Sequence, residues 1–580
     1  MKKNLLLATV CVLSTVSALA QWNSDPAVNA YAWPKSEAYY SNEMGITPDG
    51  KTWLAVNFPN YGGVSTAVQL IDTAGNWVFE EPIVLADYDA RTWTSCGQIL
   101  FVDRDGNAIV SVNDFRYGSG LGLENHTVYK ISPEGEFLWG EDGITLEGEN
   151  VYDLVASMSI CQLADGSYVF AWQHSHTDNF NMMSIEMQRL SADGEMLWNA
   201  EDVRLHDAKV NYMYPYVVDG GSNQVILLYA KGTAQDLYAR KLDFDGTPVW
   251  SEDTRVYNGG WGSIPIWTLL SVAPSGDGGV LVTWNDDRYF TNIESAYMAY
   301  VKPNGELGFN INNGLKLGYS ELRAFTVKCI YDKVTDSFIA MWDEASSGQS
   351  WNRVVAQRVS KDGELLWSEN GLEIKPIEQT NYGYFSVQNS VNDEVAFFYM
   401  RNYTNSFGDV EAFVTTVNVN DTTIRRESEF TKGDRISEKS SLKSTPMHDG
   451  KYWIVKWEDH GRIEDEIKED NMMIQRLNVD FTLGNPGDAA VESVKTDNNT
   501  FVALASIVEN EAMFAVNVPT AMPATLAIYN VNGALVATPF SGVLDGGKQY
   551  IEWTANVPAG IYLATLSTSQ GVETVKLLVK

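Results

Sequence analysis

A ten-residue phrase that recurs along the chain constrains its fold more than any other feature. Each copy has an apolar segment, a turn with glycine and an aromatic residue four positions after that glycine, as in LSADGEMLWN and VSKDGELLWS. The turn glycines of the six clear copies are separated by 60, 59, 52, 59 and 58 residues. They are Gly75, Gly135, Gly194, Gly246, Gly305 and Gly363. Degenerate copies, TVNVNDTTI and RLNVDFTLG, lie one and two periods further on, so the sequence predicts eight equivalent units.

Each unit has room for four short antiparallel strands. Alternating apolar runs are broken by Asp-Gly turns, for example at Asp165-Gly166 and Asp193-Gly194, where glycine accepts a positive φ. A four-stranded repeat without helical periodicity resembles a β-propeller blade. The sequence therefore predicts an all-β chain with an eight-bladed β-propeller. We expect one aromatic residue per blade to pack between adjacent sheets. These residues are Phe79, Trp139, Trp198, Trp250, Phe309 and Trp367.

The ring is expected to close through the N-terminal segment. The eighth unit runs from LNVDFTL into a polar stretch and lacks a fourth strand of its own. The segment QWNSDPAVNAYA is similar to the outer-strand segments LWNAEDVRLHDA and VWSEDTRVYNGG. Because an open last blade would present an unpaired strand edge, we predict that residues 21–30 complete it. The propeller would then span residues 21–483.

Residues 1–20 have the pattern of a secretory signal peptide. Lys2 and Lys3 precede the apolar run LLLATVCVL, and Ala18-Leu19-Ala20 forms a small-x-small cleavage site. No later stretch approaches eighteen apolar residues, so we expect no membrane span. The predicted location is secreted or on the outer-membrane surface, after cleavage near Ala20.

The charge of the chain excludes one class of partner. Its 75 acidic and 41 basic residues give a formal net charge of -34. Such a surface repels phosphate backbones, so nucleic acid is not expected as a partner.

After a polar linker at residues 484–499 the strand-like segments continue without the repeated phrase. Residues 500–580 contain the segments ATLAIYNVNGALVA, GGKQYIEWTANVPAGIYLATLST and TVKLLVK. In this order they resemble the type IX secretion (Por) sorting domain of Bacteroidetes, over about the last eighty residues. The resemblance implies a small C-terminal β-sandwich that is recognised by the type IX secretion machinery. The residues that carry the resemblance are Gly533, Pro558, Gly560, Tyr562 and Lys576.

A ligand site is expected where the loops vary. The turns that join first to second and third to fourth strands form one rim, here called the turn rim. The loops that join second to third strands form the opposite loop rim, where the sequence varies most. Carboxylates just after the second strands suit calcium, and aromatics near the first strands suit sugar stacking, although solvated acids and packing are simpler readings. The candidate rim residues are Trp93, Asp114, Trp267, Asp286, Asp287, Asp343 and Asp459.

Other chemistry has less support. His174, His176 and Asp178 alternate like metal ligands, but three residues are a weak metal signal. No nucleophile elbow, phosphate loop or HExxH motif is present, and the sequence requires no cofactor. The leading hypothesis is an exported propeller that binds a glycan or protein. The alternatives are an extracellular polysaccharide-active enzyme that uses rim carboxylates, and a structural adhesion or envelope protein.

Overall fold

A computed structural model describes two compact units, Met1–Leu483 and Gly484–Lys580. The described residues are 22–24, 30–33, 43–60, 63–85, 99–114, 116–117, 124–147, 155–175, 182–232, 236–259, 270–289, 293–309, 312–403, 410–431, 437–462, 471–485, 500–503, 507–508, 511–518, 520–545 and 547–580. The predicted signal peptide and most of the predicted linker lie outside them. In the part of the chain that is described, no helix is long and apolar enough to cross a membrane.

The first unit consists of antiparallel sheets formed by consecutive strands, after a short N-terminal strand β1 (Ala30–Tyr31). Sheet 1 is β2 (Glu43–Ile46), β3 (Thr52–Asn60), β4 (Gly63–Ile71) and β5 (Ile83–Leu85). Sheet 2 is β6 (Ile99–Val102), β7 (Ala108–Asp114), β8 (Asn125–Ile131) and β9 (Ile144–Thr145). Sheet 3 is β10 (Val155–Gln162), β11 (Tyr168–Ser175) and β12 (Met183–Leu190), followed by one helical turn, α1 (Ala200–Val203). Sheet 4 is β13 (Tyr212–Asp219), β14 (Val225–Lys231), β15 (Asp236–Leu242) and β16 (Thr254–Tyr257).

The same pattern continues through the second half of this unit. Sheet 5 is β17 (Ser271–Pro274), β18 (Val280–Asp286), β19 (Ser295–Val301) and β20 (Leu315–Lys316). Sheet 6 is β21 (Arg323–Asp332), β22 (Ser337–Ala345), β23 (Asn352–Val359) and β24 (Leu372–Glu378). Sheet 7 is β25 (Thr380–Asn389), β26 (Glu394–Tyr403), β27 (Val410–Asn418) and β28 (Ile424–Glu429). Sheet 8 is β29 (Ser437–Ser444), β30 (Tyr452–Arg462) and β31 (Asn471–Asn478), with β1 paired to β31.

Neighbouring sheets pack face to face in a closed circuit. Each sheet shares one apolar cluster with the sheet before it and another with the sheet after it, and one cluster joins sheet 8 to sheet 1. Successive residues of a second strand alternate between the two clusters: Trp53 faces sheet 2, whereas Leu54 faces sheet 8. This period of two buries both faces of the second strands, such as β11 and β18. The first unit is therefore a β-propeller, with the first strand of each sheet innermost.

The repeated aromatic residues do pack between sheets, and the tryptophans among them also carry a polar contact. Each indole N–H donates to a backbone carbonyl in the phrase turn of the next sheet. These contacts are Trp139 to Ala192 (3.1 Å), Trp198 to Phe244 (2.9 Å), Trp250 to Pro303 (3.1 Å) and Trp367 to Val419 (3.1 Å). A cation on the third strand donates to the same carbonyl. The cations are Lys130, Arg189, Lys241 and Arg358.

The turn glycine in several of the phrases has two reasons to be glycine. At Gly194 the backbone has φ +91°, which side-chain-bearing residues rarely adopt, and an added Cβ would lie 2.8 Å from the ring of Trp139. At Gly305 an added Cβ would lie 2.9 Å from Trp250. The phrase thus encodes both halves of one interface, because its aromatic residue packs on the glycine of the next copy.

The N-terminal segment provides the same contacts for sheet 8. Ala30 and Tyr31 pair with Ile474 and Met473 of β31. The indole of Trp22 donates to the Thr73 carbonyl of sheet 1 at 3.0 Å, as Trp367 does to the next sheet. The Gln475 amide donates to the Asn23 carbonyl at 3.0 Å, as Gln357 does to Ser368. Trp22 and Asn23 therefore lie in sheet 8 where the residues that precede a fourth strand lie in the other sheets.

The second unit contains two sheets. Its strands are β32 (Thr500–Ala503), β33 (Ile507–Val508), β34 (Glu511–Val518), β35 (Met522–Asn530), β36 (Leu535–Leu544), β37 (Gly547–Thr554), β38 (Gly560–Thr568) and β39 (Gly571–Val579). The order is β32-β34-β37 in one sheet and β33-β39-β38-β35-β36 in the other. Phe514 and Trp553 of the first sheet share a buried core with Leu526 and Leu577 of the second.

Replacing Trp22 with alanine should destabilise the propeller. The side chain is only 4% exposed and donates one interface hydrogen bond, so its loss should cost about 3–5 kcal/mol. Calorimetric melting of residues 21–580 measures the effect as a fall in Tm. Trp351→Ala is the matched control because Trp351 is 48% exposed. Equal Tm values for the two variants would contradict the role of Trp22 in closure.

Candidate functional site

A cavity of about 670 Å³ lies at the centre of the propeller, on the turn rim. Its walls come from the ends of first strands, and from the turns after them, in sheets 1 to 5 and sheet 8. The lining residues are Ile46, Thr47, Pro48, Phe101, Val102, Asp103, Arg104, Ile160, Cys161, Gln162, Val217, Val218, Asp219, Val272, Pro274, Pro446, Met447, His448 and Asp449. Six separate repeat units thus contribute to one concave surface, which is the usual form of a ligand site.

The cavity has an aliphatic wall and a charged collar. Ile46, Val102 and Val217 belong to the wall, and Phe101 is its one aromatic residue. Asp219 and Asp449 belong to the collar, which carries three aspartates and one arginine. The collar is therefore acidic, in keeping with the charge of the whole chain.

Arg104 fixes the collar where sheets 2, 3 and 4 meet. Its guanidinium donates to the Leu163 carbonyl at 2.9 Å and to the Gln162 carbonyl at 3.3 Å. The same group lies 3.6 Å from the Asp219 carboxylate. One side chain of sheet 2 therefore contacts the first-strand ends of the next two sheets and holds them at a fixed separation.

Asp103, on the same turn, is a structural carboxylate. Its Oδ1 accepts the backbone N–H groups of Asp105 and Asn107, at 2.9 and 2.7 Å. Its Oδ2 accepts the hydroxyl of Tyr168 in sheet 3 at 2.7 Å. Burial, together with this hydrogen bond to Asp103, raises the pKa of Tyr168. The segment DRDGN is a turn that also clamps sheet 2 to sheet 3.

The candidate rim residues are separated in the structure. Trp93 and Trp267 lie outside the described residues, as do many loop-rim residues around them. Asp114 ends β7 of sheet 2 opposite Asn125. Asp286 and Asp287 lie at the end of β18 in sheet 5, whereas Asp343 is in sheet 6 and Asp459 in sheet 8.

Asp286 is buried and ion-paired. Its carboxylate accepts the Trp284 indole N–H at 2.7 Å and two guanidinium N–H groups of Arg288, at 2.8 and 2.6 Å. The Arg288 guanidinium stacks on Tyr297, 3.4 Å from the ring centroid. Both oxygens of Asp286 thus hold Arg288 in place. Glu344 in sheet 6 makes a similar pair with Arg353, at 2.6 Å.

Asp343 is buried without such a pair. It is 7% exposed, and its Oδ1 has no hydrogen-bond partner in the described structure. Burial raises the pKa of Asp343 to about 7. A carboxyl in this setting is substantially protonated at neutral pH, and the neutral form is a poor calcium ligand.

His174, the one described histidine of the predicted metal set, is also engaged by the protein. His174 Nδ1 lies 2.8 Å from the Ser175 carbonyl and Nε2 lies 2.9 Å from the Glu186 carboxylate. His176 and Asp178 lie outside the described residues. In the described parts of the chain, no group of three or more His, Cys, Asp or Glu side chains is arranged to hold a metal ion.

The residues of the sorting-domain resemblance lie on the five-stranded sheet and its turns. Gly533 has φ +75° in the turn between β35 and β36. Tyr562 is buried, and its hydroxyl donates to the Pro558 carbonyl at 2.8 Å. Gly560 begins β38, and Lys576 lies on β39 opposite Leu563.

Comparison with known proteins adds little to this geometry. No family model and no curated protein matches the chain. Among solved structures it is similar to an alpha-L-arabinanase of Penicillium chrysogenum in complex with arabinobiose, at 12% identity and TM-score 0.35, over 59% of this chain and 97% of that one.

Two further solved structures are also similar to this chain with low TM-scores. The Dos1 propeller has 10% identity and TM-score 0.38, over 76% of this chain and 93% of that one. An endo-arabinase of Bacteroides thetaiotaomicron has 10% identity and TM-score 0.27, over 45% of this chain and 92% of that one. Scores this low carry no argument about activity, so the site must be judged from its own residues.

Sequence reasoning expected the site on the loop rim and missed the turn-rim collar. It assigned no ligand contact to the turns that contain Asp103, Asp219 and Asp449. A signal was present, because these turns differ between units whereas the phrase turns repeat. Variation among otherwise equivalent turns is what a site assembled from many repeats requires.

Asp343→Asn should flatten the pH dependence of stability. An aspartate whose pKa is raised from 3.8 to about 7 on folding makes its full contribution to stability below pH 3.8. That contribution is lost as the pH rises to about 7. Each pKa unit corresponds to about 1.4 kcal/mol. Melting curves between pH 4 and pH 8 should show a smaller fall in Tm for the variant. The exposed Asp362→Asn is the control, and parallel Tm profiles for wild type and Asp343→Asn would refute the assignment.

Proposed function

We propose that this chain is an exported binding protein, an eight-bladed β-propeller closed by its N-terminal strand, with its ligand site in the central turn-rim cavity. The cavity is the observation that carries the proposal. It has the size and the concave apolar wall of a small-ligand or peptide site, and six sheets converge on it. Rigid sheets hold the turns, so the site is preorganised.

The lining favours a segment of protein over a sugar as ligand. The wall is aliphatic with one aromatic residue, Phe101, so it offers few flat faces for a sugar ring. The collar is acidic, and Asp449 is exposed. A peptide segment with apolar side chains and a basic group complements both features, through apolar burial and charge attraction.

The C-terminal unit is proposed to be the sorting module, a small β-sandwich recognised by type IX secretion machinery. Three features support this role: the order of its sequence segments, its separation from the propeller as a compact unit, and the buried Tyr562 that ties the Pro558 turn to β38. In this reading residues 1–20 direct export across the inner membrane, and residues 500–580 direct the second step to the cell surface.

Reversing the collar charge should abolish binding of a basic ligand. We expect residues 21–580 to bind basic, apolar peptides on a random peptide array, and Asp219→Lys with Asp449→Lys to lose these signals by about ten-fold or more. The control is Asp193→Lys, which reverses an exposed aspartate of a phrase turn. A parallel glycan array separates the alternatives, since binding to glycans alone would overturn the peptide assignment.

Removing residues 484–580 should stop delivery to the surface. In a bacterium with a type IX secretion system, the full chain should reach the surface or medium, whereas the truncated chain should accumulate in the periplasm. Immunoblots of cell fractions measure the distribution. Normal surface delivery of the truncated chain, with the propeller folded, would contradict a sorting role.

A further inference from the structure

The innermost strands of the propeller contain backbone that ordinary residues avoid. The first strands of sheets 4, 6, 7 and 8 each have a β-bulge. Within each bulge one residue other than glycine has a positive φ. These residues are Tyr214 (+53°), Thr326 (+47°), Tyr384 (+54°) and Ser441 (+56°). This region of φ is unfavourable for residues with a side chain, and most of all for a β-branched threonine.

All four of these residues carry a hydroxyl group. Glycine would adopt the same backbone at lower cost, and the chain uses glycine at positive φ in many of its turns. Strained backbone of this kind concentrates at functional sites, and bulges beside such sites re-aim a side chain. The strain therefore indicates that the hydroxyl side chains themselves are needed at these positions.

The bulges turn side chains of sheets 6 and 7 towards the central channel. Tyr382 and Phe385, on either side of Tyr384, both pack in the apolar cluster shared with sheet 6. Residues three positions apart lie on opposite faces of a regular strand, so the bulge leaves Tyr384 on neither face. The residues that flank Thr326 show the same pattern against sheet 5. Both bulge residues are exposed, Tyr384 by 48%, and the free edge of an innermost strand borders the channel.

The innermost strands of sheets 6, 7 and 8 lie side by side. Ser386 Oγ on β25 is 2.7 Å from Ser444 Oγ on β29. The Asn389 side-chain amide on β25 donates to the Tyr331 carbonyl on β21 at 3.3 Å. The bulge residues of sheets 7 and 8 precede these serines by two and three positions. The three bulges therefore form one stretch of channel wall, here called the hydroxyl arc. It consists of Thr326, Tyr384 and Ser441.

The hydroxyl arc lies on the loop-rim side of the turn-rim cavity. The cavity begins at Val217 in sheet 4 and at Pro446 in sheet 8, three and five positions after the bulge residues of these sheets. Among the described residues, none that lines the cavity comes from sheet 6 or sheet 7. Lys443 beside the arc is already neutralised by Glu43. The arc is thus a second surface, which presents hydroxyl groups where the collar presents charge.

Exposed aromatic side chains continue this surface over the loop rim. Tyr289 (71% exposed), Tyr319 (53%) and Trp351 (48%) lie in loops of sheets 5 and 6 on that rim. In the described part of the propeller, Phe244 is the one exposed aromatic residue on the turn rim. Flat aromatic faces stack on the C–H faces of sugar rings, and hydroxyls that both donate and accept match sugar hydroxyls. An exposed apolar surface of this kind marks a binding site.

We propose that the hydroxyl arc and the loop-rim aromatics bind a neutral polysaccharide. Tyr384 stacks on a sugar ring at the channel, and the hydroxyls of Thr326 and Ser441 exchange hydrogen bonds with that ring. The aromatic residues of sheets 5 and 6 hold further rings of the same polymer. A neutral polymer fits because the chain has a formal charge of -34 and repels polyanions. This site goes beyond the proposed peptide binding and uses a different part of the channel.

Affinity electrophoresis of residues 21–580 tests the site. Native gels contain soluble glucan, mannan, xylan or arabinan as neutral polymers, or polygalacturonate as an acidic one. We expect at least one neutral polymer, and not polygalacturonate, to retard the protein relative to a gel without polymer. Tyr384→Ala should weaken this binding by about ten-fold or more, because the stacking face is lost. The matched control is Phe244→Ala, which removes an exposed aromatic residue from the turn rim.

Three results of these gels would overturn the proposal. They are no retardation by any neutral polymer, retardation by polygalacturonate alone, and equal retardation of Tyr384→Ala and Phe244→Ala.

Thr326→Gly provides a second readout that a merely structural role would not produce. Glycine relieves the positive φ and removes the hydroxyl, so Tm should rise while affinity for the retarding polymer falls by about three-fold or more. Thr422→Gly is the matched control, since Thr422 has φ +60° in the turn between β27 and β28. It should raise Tm and leave affinity unchanged. Full affinity of Thr326→Gly, or an equal loss in both variants, would contradict the contact with sugar.

The collar variants keep this proposal separate from peptide binding. Asp219→Lys with Asp449→Lys should retain retardation by the neutral polymer, and Tyr384→Ala should retain the peptide-array signals. Loss of polymer binding in the collar variant would contradict a separate polysaccharide site. Failure of the peptide array alone leaves the polysaccharide site standing.

Discussion

At several sheet interfaces the propeller depends on a single carbonyl that accepts two donors. In several copies of the repeat, the phrase turn of one sheet offers this carbonyl to an indole N–H and to a lysine or arginine of the sheet before it. A carbonyl close to two packed sheets must be satisfied, and two directional donors fix the approach of the next sheet more tightly than apolar packing alone. The glycine beside it makes room for the ring. Trp22 and Arg476 extend the same arrangement to the seam, where both approach the Thr73 carbonyl.

This contact explains which parts of the fold the sequence could predict. The glycine and the aromatic residue are local features that recur with a constant period, and each copy of the phrase forms the same type of interface. The propeller and its closure by the N-terminal segment could therefore be predicted from the spacing of these residues. The similarity of QWNSDP to outer-strand segments was informative because Trp22 must make the interface contact that Trp367 makes. A separate strand-rich C-terminal unit likewise follows from the change in strand pattern, whereas its sandwich form and its sorting role rest on resemblance.

The candidate sites could not be predicted in the same way. The collar is assembled from residues of different units, and they meet only because the turns after the first strands surround one cavity. One of the loop-rim acids already has a local partner. Asp286 is followed two residues later by Arg288, and this pairing within NDDR was a signal that the carboxylate is already neutralised.

Charged side chains also contribute to the closure of the ring. The interior holds cations at sheet interfaces, such as Lys130, together with buried carboxylates such as Asp286. Lys443 and Lys456 lie opposite each other on sheet 8, and like charges in this arrangement destabilise a sheet. Glu43 on sheet 1 contacts Lys443, so this ion pair offsets repulsion within sheet 8 and adds attraction across the seam that β1 completes. The last interface therefore combines the apolar cluster and the indole contact found elsewhere in the ring with an ion pair between its two sheets.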